Sequence, residues 1–367
     1  MNIVRSTRAY ERWLKMQLNG DVVAEDIKEK HEEMRNGAFP FLRATYWRWA
    51  ETILDICPGL KDAPPVLAVG DIHVENFGTW RDIDGRLVWG VNDFDEAAEM
   101  PYTLDLVRLA TSAVLAGVRS MTTGAIASNI LRGYREGLAA PQAFVLDQRY
   151  RRLRGQFEVP EQERTKFWDK KMHAAKNLKR ARKLKRTKPP PPFVEALNQA
   201  RPEPNFELMF WPRTAGLGSL GRPRWIGYGL WRDAPVVREA KAIVPSAWTY
   251  VHGGSSRLRC QEIAAGTYRA PDPWYDLRTG GVLVRRLSPN NRKLEAQEVD
   301  GVSQLVNPAM LRDMGRDLAA VHLGTGARGK TIARDLKKRK PRWLRDAIKA
   351  AAAFVRRDQR EWRKRTK

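Results

Sequence analysis

Two periodicities alternate along the chain, and their order predicts a mixed architecture. Apolar residues recur at three- and four-residue intervals from Ser6 to Arg35 and from Thr45 to Leu54, which predicts amphipathic helices. Between them, Asn36-Gly37 followed by Phe39-Pro40-Phe41-Leu42-Arg43 reads as a helix stop and an aromatic turn. Two short apolar runs then interrupt the helical pattern as strands, Val66-Leu67-Ala68-Val69 and Leu87-Val88-Trp89-Gly90-Val91. A helix is expected from Pro101 through Val118. Helical spacing is read across residues 122–188, with Ile126, Ile130, Leu131 and Tyr134 as one core-facing stripe.

After Pro189-Pro190-Pro191-Pro192 the period falls to two. Phe206–Trp211, Trp225–Trp231, Pro235–Val244 and Gly281–Leu287 read as strands, with a turn at Arg232-Asp233-Ala234. Pro308–Leu323 returns to helical spacing, and Trp343, Leu344, Ile348, Ala351, Ala352 and Val355 would form the apolar face of a last helix. The pattern is that of an α+β chain with a largely helical part and a small antiparallel sheet.

Chemistry gathers where the first two strand runs end. Val66–Val69 opens into Gly70-Asp71-Ile72-His73-Val74-Glu75-Asn76-Phe77-Gly78, and Leu87–Val91 into Asn92-Asp93-Phe94-Asp95-Glu96. An Asp five residues ahead of an Asn, with another Asp after the next strand, is the grammar of phosphotransferases that position a hydroxyl and hold Mg²⁺ on triphosphate oxygens. On that reading Asp71 is the base, Asn76 and Asp93 are metal ligands, and Asp95 is an auxiliary ligand, all hard oxygen donors. Turn capping is the plainer role open to Asp71 and Asp93. His73 is expected to serve the loop by hydrogen-bonding backbone or Asp93. Asp105, at the start of the helix after Pro101, either complements the helix dipole or holds the Asp71 loop.

Gly216-Leu217-Gly218-Ser219-Leu220-Gly221 lies between strands and does not open a helix, which suits a phosphate-covering loop better than a dinucleotide fingerprint. Lys241, in the third strand of that region, is the candidate phosphate-contacting cation, with Glu262 in the following Arg257–Gly266 stretch as its expected anchoring anion. Arg238 is the competing cation.

These segments together, with Pro245-Ser246-Ala247, resemble the bacterial domain of unknown function 2252 over most of residues 25–325. That family is in turn similar to aminoglycoside phosphotransferases and other protein-kinase-like enzymes. The resemblance implies ATP and Mg²⁺ as cofactors, Asp71 as catalytic base, Asn76 and Asp93 as magnesium ligands, and phosphate binding by Gly216, Gly218, Ser219, Gly221 and Lys241. It also implies a permuted, two-lobed kinase-like fold, since Asp71 precedes Gly216 by 145 positions whereas ordinary kinases place the glycine loop first. The expected divisions are a helical catalytic-loop lobe over 1–200, a glycine-loop β lobe over 201–300, a helix returning to the first lobe over 301–327, and a basic tail over 328–367. Gly218 and Asp93 should then face one cleft.

Charge and composition set the surroundings. The formal net charge of +24 is local: residues 170–188 carry ten Lys or Arg and no acid, residues 328–367 carry seventeen against four acids, and the remainder amounts to about +1. Both segments are candidates for a polyanion such as RNA, anionic lipid or polyphosphate. Two cysteines, no apolar run of membrane-spanning length and a charged amphipathic start point to a cytoplasmic protein. Two other functional classes stay open at this stage. One is an inactive kinase-like scaffold that binds polyanions. The other is a metallophosphoesterase opened by Asp71-x-His73, although none of His31, His173, His252 and His322 follows an Asn as that chemistry requires.

Overall fold

The computed structural model describes residues 1–118, 120–180, 188–298 and 300–366, and it is a mixed α+β fold with small antiparallel sheets. Among the described residues ten strands are distributed over three such sheets. β1 (Pro65–Ala68) pairs with β4 (Ala98–Pro101); β2 (Phe77–Arg81), β3 (Leu87–Val91) and β5 (Phe144–Val145) form a second sheet. The third has the order β6 (Met209–Pro212), β7 (Arg224–Trp231), β8 (Ala234–Ala242), β10 (Val282–Arg286), β9 (Asp276–Arg278).

Helices surround these sheets, and their breaks follow local chemistry. The Ser6–Arg35 pattern divides into helices Ile3–Gln17 and Ala24–Glu33 at Asn19 and Gly20, both at positive φ. The stretch expected to be helical over 122–188 is instead Thr123–Ala139, then β5, then Arg151–Phe157 and Glu161–Arg180. Pro141 and Pro160 explain the interruptions, because each disfavours helical geometry in the residue before it. Residues 181–187 of the first basic segment lie outside the described residues. Helix Tyr102–Leu115 begins directly after β4, and Thr123–Ala139 packs closely along Pro308–Leu323.

One large core joins the N-terminal helices, the two smaller sheets and the C-terminal helices. The five-stranded sheet has its own cores on its two faces. Trp225, Ala240, Ala242, Val282 and Val284 pack under helix Pro191–Gln199, whereas Ile226, Tyr228 and Val237 pack with Phe167, Trp168 and Met172 of helix Glu161–Arg180. Alternation along the strands separates those sets. The β7–β8 connection turns on Arg232 and Asp233, both at positive φ as a two-residue hairpin of right-handed twist requires.

The C-terminal segment, read as a basic tail, is part of the body. Helix Trp343–Arg365 buries Leu344, Ile348, Ala351, Ala352, Val355 and Trp362 and lies along Tyr102–Leu115. Its Asp358 accepts from buried Arg48 at 2.7 Å. No helix among the described residues is long and apolar enough to cross a membrane.

Candidate functional site

The β2–β3 hairpin brings the two acidic loops together. Antiparallel pairing of Phe77 with Val91 puts Asn76, just before β2, beside Asn92, just after β3, and the Asn92 N–H donates to the Asn76 carbonyl at 3.0 Å. Within the first loop the Asn76 side-chain oxygen accepts from the His73 N–H at 3.2 Å, and His73 Nδ1 accepts from the Glu75 N–H at 3.2 Å. His73 therefore serves the backbone of its own loop. Burial first, then the positive charges of Arg43 and Lys293, push its imidazole well below the usual range, so it is neutral.

Asp105 secures this loop from below. Its carboxylate accepts from the Val69 N–H at 2.7 Å and the Gly70 N–H at 3.0 Å, and lies 3.0 Å from His322 Nε2 of helix Pro308–Leu323. The last helix of the 301–327 division is thereby tied to the Asp71 loop. Gly70 has φ +80°, and a Cβ there would stand 2.4 Å from the Glu96 carbonyl, so the turn into Asp71 requires glycine.

Asp71 lies against fully buried Arg108, whose Nε donates to Oδ1 at 3.1 Å and whose terminal amino group makes a second contact to the same oxygen. Burial pushes the Asp71 carboxyl up to about 6 even though Arg108 pulls it down. Its other oxygen faces the glycine turn: a Cβ added to Gly218 would stand 2.8 Å from Asp71 Oδ2. The turn is fixed from outside by helix Ala24–Glu33. Lys30 Nζ donates to the Gly218 carbonyl at 3.0 Å, Thr214 donates to Asp26 at 2.8 Å, and the Val23 N–H donates to the Gly221 carbonyl at 3.0 Å.

Across the cleft the sheet presents charges in register. Arg224 of β7 lies opposite Lys241 of β8, and Glu239 of β8 lies between Ile226 and Arg285 of β10, so Arg224, Lys241, Glu239 and Arg285 share one face. Glu239 is fully buried and takes three guanidiniums: Arg213 at 2.6 Å, Arg224 at 3.1 Å and Arg285 at 2.5 Å. Burial opposes its ionisation, yet those arginines hold its carboxyl well below the ordinary range. Lys241 stands 2.5 Å from Asp95 and 3.5 Å from Asp93. Burial works against the Asp93 charge too, but Lys241, Lys293 and Arg285 hold its pKa well below the carboxylate norm. Asp95 is pushed up by burial and by Asp93, against the pull of Lys241.

A cleft of about 400 Å³ lies between these walls, lined by Asp71, His73, Asn76, Asp93, Asp95, Gly216, Gly218 and Ser219 among others. Gly218 and Asp93 thus face one cavity. Five of the residues read from sequence stand apart from it, Asp105 beneath the Asp71 loop among them. Lys241 is 2 % exposed and sits behind the wall rather than on it. Gly221 packs on Ile27. Glu262 does not anchor Lys241: its carboxylate takes Arg259 through two 2.7 Å bonds, because the helix that holds it is the five-residue turn Cys260–Ala264 and Arg259 is its nearest cation at three-residue spacing. Arg238, the competing cation, points to the opposite face, where it donates to the Ala200 carbonyl at 3.1 Å and covers the Trp274 ring.

Sequence reading missed several cations that line the cleft, Arg213, Arg224, Arg285 and Lys293 among them. Their signal was alternation, since Arg224, Glu239, Lys241 and Arg285 are polar residues inside strands otherwise patterned apolar. Among the described residues no three His, Cys, Asp or Glu side chains converge as a metal-binding group. A hard cation here would take Asp93 and amide oxygens from the protein and the rest from phosphate and water, as Mg²⁺ commonly does. The amide oxygen of Asn92, buried beside Asp93 without a hydrogen-bond partner, is one such donor.

Residues 22–196 match the model of a family described as an uncharacterized protein conserved in bacteria, DUF2252, which supports that assignment for the segment holding Asp71, Asn76, Asp93 and Asp105. The match ends before the glycine turn and Lys241. No curated protein and no solved structure matches the chain.

Proposed function

We propose that this chain is a kinase-like phosphotransferase of permuted lobe order, using ATP and Mg²⁺ to phosphorylate an acceptor hydroxyl. The observation that carries this reading is the convergence of Asp71, Asn76, Asp93 and the Gly216–Ser219 part of the glycine turn on a single cleft. Each has a role there. Asp71, tuned towards neutrality, accepts the proton of an acceptor hydroxyl through Oδ2 while Arg108 fixes Oδ1. Asp93, held ionised, and the amide oxygens of Asn76 and Asn92 are the groups that would hold Mg²⁺, which when bound supplies charge neutralisation to the phosphate oxygens. The glycine turn covers the transferring group and excludes water from Asp71. Lys241 orients Asp93 and Asp95 and does not touch phosphate.

Thermal shift tests the reading. ATP with Mg²⁺ should raise the melting temperature of the parent, and Asp93→Ala should abolish the magnesium-dependent part of that rise while keeping a cooperative apo transition. Equal ATP·Mg²⁺ shifts in parent and variant would remove the metal assignment and the phosphotransferase reading with it.

A further inference from the structure

The cations of the sheet wall outnumber the anions that face them. Arg213, Arg224 and Arg285 converge on one carboxylate, Glu239; Lys241 and Lys293 stand with Asp93 and Asp95. Five cations thus meet three carboxylates. Of the remaining acids of the cleft, Asp71 is engaged by Arg108, Glu75 by Arg43, Glu96 by Arg222 and Asp272 by Arg286, which leaves Glu295 to offset one charge of the excess. Lys171, reaching in from helix Glu161–Arg180 towards Arg213, adds to it. Clustered, partly buried positive charge without counter-charge is costly, and proteins keep it where a ligand supplies the missing anion.

Donor geometry agrees with the charge count. Arg285 gives Glu239 its Nε, leaving both terminal amino groups for the cleft; Arg213 gives one terminal amino group and keeps the rest. Arg224 gives its second amino group to the Ser219 hydroxyl at 2.7 Å, which ties this wall to the glycine turn. Fork-shaped donors of this kind suit the spaced oxygens of phosphate groups better than a point ammonium does. The site also registers the crowding: burial and the neighbouring arginines lower Arg213, and burial with Arg285 and Lys241 brings Lys293 down to about 8 against the pull of Asp93.

We infer that Arg213, Arg224, Arg285 and Lys293 form a seat for a polyphosphate chain, with Glu239 as the buried post that holds the three guanidiniums in place. The inference deepens the reading above and rests on it for identifying the chain as the tail of a nucleotide; the seat itself follows from charge and donor geometry. A ligand with at least two negative charges spread along linked phosphates satisfies it, whereas a single carboxylate does not.

Isothermal titration of the full chain with inorganic tripolyphosphate in EDTA tests the seat without metal or nucleotide. Arg213→Gln and Arg285→Gln should each weaken binding about tenfold or more, since each removes a charged donor while leaving Glu239 two arginine partners. Lys337→Gln/Lys338→Gln, which removes more charge from exposed positions away from the cleft, should leave it unchanged. If a glutamine variant loses cooperative unfolding, the lysine variant at that position keeps the charge without the fork and should still bind several-fold more weakly than the parent. Arginine variants that bind like the parent, loss only in the Lys337/Lys338 variant, or no metal-free binding would each overturn the proposal. Arginine-dependent tripolyphosphate binding in a protein that does not respond to ATP·Mg²⁺ would uphold the seat and remove the phosphotransferase reading.

Discussion

Glu239→Gln is the substitution that puts the wall of the cleft under most strain. The change is nearly isosteric, but it withdraws the one carboxylate shared by Arg213, Arg224 and Arg285 at 2.6, 3.1 and 2.5 Å. Glu239 is fully buried and Arg224 only 5 % exposed, so the Arg224 charge cannot be rehydrated in place, whereas Arg213 and Arg285 keep partial access to the cleft. Breaking a buried ion pair by removing one partner costs about 3–5 kcal/mol. Three partners share this one, while the amide oxygen keeps part of the hydrogen bonding, so a loss near ~4 kcal/mol is expected. That is a large share of the roughly 5–15 kcal/mol typical of a folded domain.

The pH dependence gives a second check, with its sign fixed by the depressed pKa. In the folded chain Glu239 stays ionised where the unfolded chain, with a Glu pKa of ~4.3, binds a proton. Its contribution is therefore complete above about pH 4.5 and is lost as pH falls through the depressed folded pKa. Urea titrations of parent and variant at pH 7 and at stepwise lower pH should show the full difference at neutrality and a shrinking one below about pH 4.5. A difference under about 1 kcal/mol at pH 7, or one that grows with acid, would refute the view of Glu239 as the post of the arginine cluster.

Asp105→Asn should cost about 2–4 kcal/mol, because one of the Val69 and Gly70 N–H groups loses its acceptor and the His322 contact loses its charge; a melting curve indistinguishable from the parent would count against Asp105 as the anchor of the Asp71 loop. Since Asp71 acts as a base only when deprotonated and its pKa is raised to about 6, turnover should rise with pH along an acid limb near 6, and Arg108→Gln should move that limb upward by removing the charge that pulls Asp71 down; a limb near 4 would refute the tuning. Truncation before Trp343 should collapse the fold because Leu344, Ile348 and Val355 leave the core, whereas reversing the charge of exposed Lys337 and Lys338 should keep the melting temperature and lower low-salt RNA or vesicle binding if those side chains carry it; a stable truncated chain would contradict the packing.

What could be read ahead of the structure follows from the range of each interaction. Strand runs punctuated by glycine and aspartate are local signals, so the positions of Asp71 and Asp93 at strand ends were legible, as was the apolar stripe of the last helix. The partner of that stripe, helix Tyr102–Leu115, was not, because docking depends on chain segments more than 200 positions apart. The arginine cluster was hidden for the same reason: Arg213, Arg224, Glu239 and Arg285 meet only through the β7–β8 and β10–β8 registers, which no single strand reveals. Glu262 was chosen as an anion on a nearby helix, and a competing arginine three residues away takes it. Helical spacing over 122–188 concealed the breaks that Pro141 and Pro160 impose.

The most direct measurement is a structure of the full chain with a non-hydrolysable ATP analogue and Mn²⁺, located by its anomalous scattering. The account predicts Mn²⁺ on Asp93 with amide oxygen from Asn76 or Asn92, the phosphate chain along Arg213, Arg224 and Arg285, and the terminal phosphorus facing Asp71 beneath Gly218. A nucleotide bound elsewhere, or seated in the cleft with its phosphates directed away from both Asp71 and Asp93, would contradict it.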